Sequence, residues 1–277
     1  MNDRRTFLSN GRVAHDSLKG QIDGVTFVAG ELMQVGKPVA GLFAKPQGGL
    51  DCELMYGAHF LELERDPRTG YSFGCSVLDR YVGYIKTDDL VAAGTASHKV
   101  NRLNTHIYPE ANIKTVPLLT LPMGAFLDVV SINDRFAKLA TGGFVPEQAI
   151  VPLNTNADDF VSVAEIFLGV AYLWGGDSYR GIDCSGLVQS SLRACGQACP
   201  RDTDMQQAEV GVEFGGNVPL QRGDLIFWKG HAGIMADAEN LLHANAYHMR
   251  VTLEPLEDVA QRIKQTEGLD IMCSRRP

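Results

Sequence analysis

The segment GIDCSGLVQSSLRACG, residues 181–196, decides how the second half of the chain folds. It predicts a helix, because Asp183 is a favoured N-cap residue, apolar residues follow it at helical spacing, and Gly196 suits the position after the last turn. Cys184 then lies in the first turn, where unpaired backbone N–H groups and the helix dipole favour a negative charge. We therefore expect a thiol with a lowered pKa and a raised fraction of the reactive thiolate.

A nucleophilic thiol also needs a base, and two histidines farther along the chain are candidates. His231 opens the segment HAGIM and His243 lies in LLHANA, with the turn-forming residues DAEN between them. This pattern predicts a β-hairpin, and when His231 lies opposite residue 245 both histidines share one face. His231 would then take the thiol proton and later protonate the leaving amine, while His243 fixes its tautomer. Each of the three residues alone has a structural explanation, and only their combination favours catalysis.

Composition and charge exclude some classes of ligand. The chain has 277 residues, 45% of them hydrophobic, with 33 acidic against 25 basic residues. No run of Lys or Arg exceeds two residues, so the electrostatic pattern of a nucleic-acid or anionic-membrane binder is absent from the sequence. We expect a small ligand that is neutral or cationic.

The cellular compartment is inferred from the N-terminal sequence and the cysteines. The opening residues MNDRRTFLSNGRVAHDS lack the apolar stretch of a secretory signal, and no segment approaches the roughly 18 apolar residues of a membrane helix. These features predict a cytoplasmic protein. The six cysteines are scattered through a long chain, so we expect free thiols; they stand at positions 52, 75, 184, 195, 199 and 273.

Changes in pattern along the chain predict four parts. Residues 36–93 and 94–153 each contain short apolar runs separated by turn residues, which is typical of small all-β barrels. Residues 1–35 carry weak signals and are interpreted as an N-terminal arm. Residues 154–277 mix helical and strand patterns, which indicates an α+β domain, and its segment EPLEDVAQRIKQTEG predicts an amphipathic helix.

Four motifs in this last domain carry a family resemblance. The segments GIDCSGLVQ, RGDLIFW, HAGIM and LLHANA, in this order and spacing, resemble the NlpC/P60 cysteine peptidases, which are papain-like. The two preceding modules resemble bacterial SH3-like domains. The resemblance implies an α+β, papain-like catalytic domain preceded by two small all-β SH3-like barrels. It also implies Cys184 as the nucleophile, His231 as the base and His243 as the orienting residue.

The SH3-like modules make the chain most similar to one branch of that family, the γ-D-glutamyl-L-diamino acid endopeptidases, also called dipeptidyl-peptidase VI. This resemblance implies cytoplasmic recycling of murein peptides, by cleavage of the γ-D-glutamyl–diamino acid bond in peptides that carry a free N-terminal L-alanine. It implies no cofactor. The positions that match the substrate-binding residues of that branch are Asp183, Ser185, Asp202, Thr203 in place of the usual serine, Tyr81 and Glu53.

Several alternatives stay open from the sequence. Asp183 and Asp202 could be helix caps alone, and Tyr81 could be a core aromatic of its barrel. The protein could hydrolyse intact wall, transfer acyl groups, or bind peptidoglycan without catalysis. A metal site that uses Cys195 and Cys199 is disfavoured because no second closely spaced pair accompanies them. The preference between diaminopimelate and lysine, and the oligomeric state, are left open.

Overall fold

The computed structural model describes residues 2–215 and 218–277. It divides into two compact units, of which the first ends at Asn154 and the second comprises Thr155–Pro277. The division lies next to the predicted start of the last domain.

The first unit consists of β-strands and three single 3₁₀ turns. Its strands are β1 (Val13–His15), β2 (Thr26–Val28), β3 (Glu31–Val35), β4 (Val39–Phe43), β5 (Leu50–Met55), β6 (His59–Asp66), β7 (Tyr71–Ser76), β8 (Val82–Lys86), β9 (Leu90–Ala92), β10 (His98–Val100), β11 (Asn104–Ile107), β12 (Leu119–Pro122), β13 (Phe126–Leu127), β14 (Val129–Asn133), β15 (Phe136–Leu139), β16 (Phe144–Pro146) and β17 (Ile150–Pro152). The 3₁₀ turns are Asp16–Leu18, Thr87–Asp89 and Glu147–Ala149.

The first barrel is a seven-stranded antiparallel sheet in the order β5-β4-β8-β7-β6-β3-β9. Alternate residues of β4 and β5 are buried, which is the period-2 pattern expected of a strand with one face toward the core. The enclosed core includes Leu42, Phe60, Tyr81 and Ile85. Strand β3 belongs to this sheet, although its residues lie in the part that the sequence assigned to the N-terminal arm.

The remaining residues of the predicted arm contact the outside of this barrel. Leu8, Val13 and Val28 pack against a second apolar cluster that contains Leu63 and Phe73. Polar contacts add to this packing, since Arg12 donates two hydrogen bonds to Glu64 and Arg4 donates two to Asp51; the N···O distances are 2.6–3.0 Å and 2.8–3.1 Å.

The second barrel is built from three small sheets, β13-β10-β17, β11-β12 and β14-β15-β16. They surround one core, which contains Val100, Ile107, Leu121, Ala125, Leu127, Ala137, Leu139, Val145 and Ile150. The two barrels exchange aromatic side chains: Phe126 packs against the core of the first barrel and Tyr56 against that of the second. A backbone hydrogen bond from Phe126 N to Tyr56 O, at 2.8 Å, fixes this junction.

The second unit combines helices with a six-stranded sheet. Its elements are α1 (Phe160–Glu165), β18 (Asp177–Ser178), β19 (Gly181–Ile182), α2 (Cys184–Ala194), α3 (Thr203–Glu209), β20 (Val212–Phe214), β21 (Leu225–Trp228), β22 (His231–Met235), β23 (Asn240–Asn245), β24 (Arg250–Pro255), α4 (Leu256–Glu267) and β25 (Cys273–Arg276). The sheet order is β20-β25-β21-β22-β23-β24, and every pair is antiparallel. This architecture confirms the predicted α+β domain, which follows the all-β modules in the sequence.

Helices cover the sheet through their apolar faces. The predicted helix near the C-terminus is confirmed as α4, whose buried residues Val259 and Ile263 pack with Trp228 and Met235 of the sheet. Helix α2, which begins at Cys184, packs against β22 and β23. Within the described residues, no helix combines the length and apolar character needed to cross a lipid bilayer.

Candidate active site

Helix α2 begins at Cys184, as the sequence predicts. The Asp183 side chain caps it by accepting a hydrogen bond from Gly186 N at 2.7 Å, and Gly196 follows the helix with a φ of +76°. A residue in this left-handed region is favoured to be glycine. The cap therefore places the thiol at the open end of the helix, and the buried residues Leu187, Val188 and Leu192 hold the helix in the core.

Cys184 lies in a buried but partly polar environment. Its side chain is 6% exposed, its Sγ lies 3.9 Å from Thr203 Oγ1, and the backbone N–H of Ala232 donates to it. Burial, and secondly the charge of Asp183, raise the pKa of this thiol to about 11, against the opposing effects of these hydrogen bonds. The expected lowered pKa is therefore wrong, because loss of solvent outweighs the position at the helix start.

The two histidines lie side by side on the predicted hairpin. Ile234 pairs with Leu242 and Met235 with Leu241, which is the register that puts His231 opposite residue 245. His231 Nε2 and His243 Nδ1 are 2.8 Å apart, and the two ring centroids are separated by 5.1 Å. Burial, and secondly the charge of His243, lower the pKa of His231 to about 3, and burial also lowers the pKa of His243.

The thiol and the histidine pair belong to one site. Ala232, whose backbone N–H reaches Sγ, directly follows His231 in β22. Among the residues that the structure describes, no hydrogen bond joins Sγ to either imidazole. With a raised pKa on Cys184 and a lowered pKa on His231, the resting pair is a neutral thiol beside a neutral imidazole.

Arg201 organises the residues around the start of α2. Its guanidinium is 1% exposed and donates to Asp177 Oδ2 at 2.9 Å, to Asp183 Oδ2 at 2.9 Å and to Ser185 Oγ at 2.7 Å. Gly175 N also donates to Asp183 Oδ2, at 2.8 Å, so both oxygens of this carboxylate accept hydrogen bonds from the protein itself. Neither Arg201 nor Asp177 was singled out in the sequence.

The other predicted substrate-binding residues are divided between the two compact units. Asp202 is the N-cap residue of α3, and Thr203 is buried in its first turn next to Cys184. Tyr81 is buried in the core of the first barrel, and Glu53 is half-buried on β5. Both belong to the other compact unit, and their role toward a substrate stays a prediction.

Glu254 is a further residue of the site that the sequence analysis missed. It lies on β24, and its Oε1 is 3.0 Å from His243 Nε2. Thr252 is the pairing partner of His243, so the residue two positions on lies on the same face and is a diagonal neighbour. The segment VTLEP follows the strand that carries His243, and its alternate residues share one face. This alternation was the signal that could have identified Glu254.

A metal site that uses Cys195 and Cys199 was disfavoured by the sequence. In the described residues, none of the six cysteines forms a disulfide. In residues 2–215 and 218–277, no three His, Cys, Asp or Glu side chains are grouped so that they could hold a metal ion.

Comparison with known sequences reveals similarity in both units. A model of the NlpC/P60 family matches residues 169–266, and a model of the bacterial dipeptidyl-peptidase Sh3 domain matches residues 42–90. A γ-D-glutamyl-L-lysine dipeptidyl-peptidase of Bacillus subtilis (strain 168) is 32% identical over 141 residues, which are 48% of this chain and 45% of that protein. The match thus spans about half of that relative. A probable endopeptidase of Haemophilus influenzae is 38% identical over 148 residues, which are 50% of this chain and 83% of that protein.

Comparison with solved structures shows the same fold. The crystal structure of an NlpC/P60 family protein from Bacillus cereus superimposes with a TM-score of 0.73 and covers 89% of this chain and 99% of that one. At 18% identity this likeness concerns the fold alone.

Proposed function

Since the chain belongs to the NlpC/P60 family, we propose that it is a cysteine peptidase with Cys184 as nucleophile, His231 as general base and His243 as the residue that orients His231. The observation that carries this assignment is the 2.8 Å hydrogen bond between the imidazoles of His231 and His243. The residue after His231 in the same strand donates its backbone N–H to the thiol of Cys184. These groups are held by a capped helix and a paired hairpin.

The neutral resting pair decides the order of proton transfers. Because the pKa of Cys184 is raised, the thiol is protonated at neutral pH and must lose its proton as it attacks. His231 takes that proton while Sγ forms a bond to the substrate carbonyl carbon. The backbone N–H of Cys184, in the open first turn of α2, is placed to stabilise the oxyanion.

Collapse of this tetrahedral species completes the first half of the reaction. The C–N bond breaks, the leaving amine takes the proton from His231, and a thioester to Cys184 remains. Water then attacks the thioester carbonyl and gives a proton to His231. That proton returns to sulfur as the C–S bond breaks, so the second product is a carboxylic acid and the thiol is regenerated.

The proposed substrate is a short murein peptide, cleaved at the γ-D-glutamyl–diamino acid bond after an N-terminal L-alanine. Two findings support it: the name of the Bacillus subtilis relative, and the dipeptidyl-peptidase Sh3 model that matches the first barrel. The acidic groups near the nucleophile suit a substrate with a free amine. Asp177 and Asp183 both pair with the guanidinium of Arg201 beside the start of α2. Asp202, Thr203, Tyr81 and Glu53 are the other proposed contacts, and a cytoplasmic location stays a prediction.

The test is mass spectrometry of the products from a small panel of substrates. The panel contains L-Ala-γ-D-Glu-meso-diaminopimelate, the lysine analogue, the same peptides with an acetylated N-terminus, and intact wall. We expect cleavage of the free peptides, none of the acetylated ones, and none by the Cys184→Ala variant, whose circular dichroism should match the wild type. Equal cleavage of free and blocked substrates, or of wall, would assign the protein as a wall hydrolase. No cleavage of any substrate by the wild type would favour a binding protein.

A further inference from the structure

Glu254 is the most heavily hydrogen-bonded carboxylate next to the histidine pair. Its Oε1 lies 3.0 Å from His243 Nε2, 2.9 Å from Thr252 Oγ1 and 3.1 Å from Arg262 Nη2. Its Oε2 lies 2.7 Å from Arg262 Nη1 and 3.1 Å from His248 Nε2. These donors come from four parts of the unit, namely β23, the turn after it, β24 itself and α4.

The carboxylate is ionised and therefore only accepts hydrogen bonds. Burial alone would raise the pKa of Glu254, but the hydrogen bonds from His243, Arg262, His248 and Thr252 together hold it well below the usual range. The fork of Arg262 contacts both oxygens, and its guanidinium also stacks 4.4 Å from the centre of the Tyr247 ring, so the carboxylate has one fixed orientation.

This orientation determines the tautomer of His243. Since Oε1 of Glu254 can only accept, Nε2 of His243 must carry a proton, and Nδ1 is left with a lone pair. Asn245 Nδ2 also lies 3.2 Å from Nε2, but its two protons have acceptors in Thr252 Oγ1 at 2.7 Å and Arg250 O at 3.5 Å. Asn245 is therefore compatible with a protonated Nε2.

The same logic passes to His231. Because Nδ1 of His243 accepts, Nε2 of His231 must donate across the 2.8 Å hydrogen bond. A neutral imidazole has one proton, so Nδ1 of His231 is then unprotonated and able to act as a base.

We propose that Glu254 is a positioning residue of this peptidase site: it fixes the proton of His243 on Nε2, and through His243 it leaves Nδ1 of His231 as the atom that takes the thiol proton. The catalytic part of this inference rests on the proposed function. The assignment of protons along the chain of Glu254, His243 and His231 does not depend on it.

The experiment compares Glu254→Gln with Glu257→Gln, an exposed glutamate three positions away in the first turn of α4. We expect Glu254→Gln to lower kcat by about tenfold or more with little change in KM, because the imidazoles lose their preferred tautomer. The acid limb of the kcat/KM profile should move to lower pH, because the carboxylate that favours protonated His243 is gone while the charges of Arg262 and His248 remain. Glu257→Gln should match the wild type in both measurements.

Two further measurements do not depend on the peptide substrate. The rate at which iodoacetamide alkylates Cys184, followed by peptide mass spectrometry, should fall about tenfold in Glu254→Gln alone. In the ¹⁵N NMR spectrum of the wild type, His243 and His231 should both be protonated on Nε2. If alkylation depends on Glu254 but no peptide is cleaved, the proposed substrate is wrong and this inference is supported. A protonated Nδ1 on His243, or a Glu254→Gln variant that behaves as Glu257→Gln does, would overturn the inference and leave the peptidase assignment intact.

Discussion

The buried guanidinium of Arg201 holds the carboxylate of Asp183, with Nη2 2.9 Å from Oδ2, directly before the helix turn that contains Cys184. The same guanidinium holds Asp177 through Nε at 2.9 Å. Asp183 is thus both a helix cap and one partner in a buried ionic cluster. The start of the helix at Cys184 is thus tied to a residue 17 positions later in the sequence.

Replacing Arg201 by methionine should destabilise the second unit by about 3–5 kcal/mol, because two buried carboxylates would lose their shared partner. The measurement is urea unfolding followed by tryptophan fluorescence, which reports on this unit because both tryptophans, Trp174 and Trp228, lie in it. The matched control is Arg250→Met at an exposed position of β24, for which we expect a change within about 0.5 kcal/mol. Equal midpoints for the two variants would contradict the proposed importance of the cluster.

Gly186 should not tolerate a side chain. A Cβ on this residue would lie 2.5 Å from Gly176 O and 2.5 Å from Asp177 Oδ1, in the first turn of α2. We expect Gly186→Ala to cost about 1–3 kcal/mol through overpacking and to lower peptidase activity by displacing Cys184. Gly215→Ala is the control, because a Cβ there would have no neighbour within 4 Å among the residues that the structure describes. Wild-type stability of Gly186→Ala in the same fluorescence assay would show that the helix start can shift freely.

The local features of the site were predictable from the sequence. The helix start at Cys184, its cap Asp183 and the hairpin that pairs the histidines each depend on residues close together in the chain. Such features follow from capping preferences and from the alternation of side chains along strands. The requirement for glycine at position 186 comes instead from the fold, through contact with Gly176 and Asp177.

The missed features depend on tertiary contacts. Arg201 and Glu254 are charged residues in segments without a catalytic motif, and only the fold brings them to Asp183 and His243. The predicted direction of the Cys184 pKa shift was wrong for the same reason. The position of Cys184 in the helix follows from neighbouring residues, whereas its burial depends on contacts with distant parts of the chain. A sequence reveals which groups can react, and the packed structure determines their protonation.

The second unit should lose stability as the pH falls below about 6.5. Burial lowers the pKa of His231 from 6.5 to about 3, so between these values the unfolded chain binds a proton that the folded chain does not. The free energy of unfolding must therefore decrease as the pH falls through this range. In urea titrations followed by tryptophan fluorescence, His231→Gln should reduce this slope and leave the slope between pH 7 and 8 unchanged. Identical slopes for wild type and variant across the acid range would contradict the assigned pKa.

One ion pair should stabilise strand β25 in its position between β20 and β21. Arg276 Nε and Nη2 lie 2.7 Å and 2.8 Å from the two oxygens of Asp224, a carboxylate with no exposed surface. Arg276→Met leaves this buried charge without its cation and should lower the midpoint of urea unfolding in the fluorescence assay. Adding Asp224→Asn should restore part of that loss, because a neutral amide needs no counter-charge and can still accept from Gln221 N. If the double variant is no more stable than Arg276→Met, the loss comes from the stacking of Arg276 on Phe214 and not from the unpaired carboxylate.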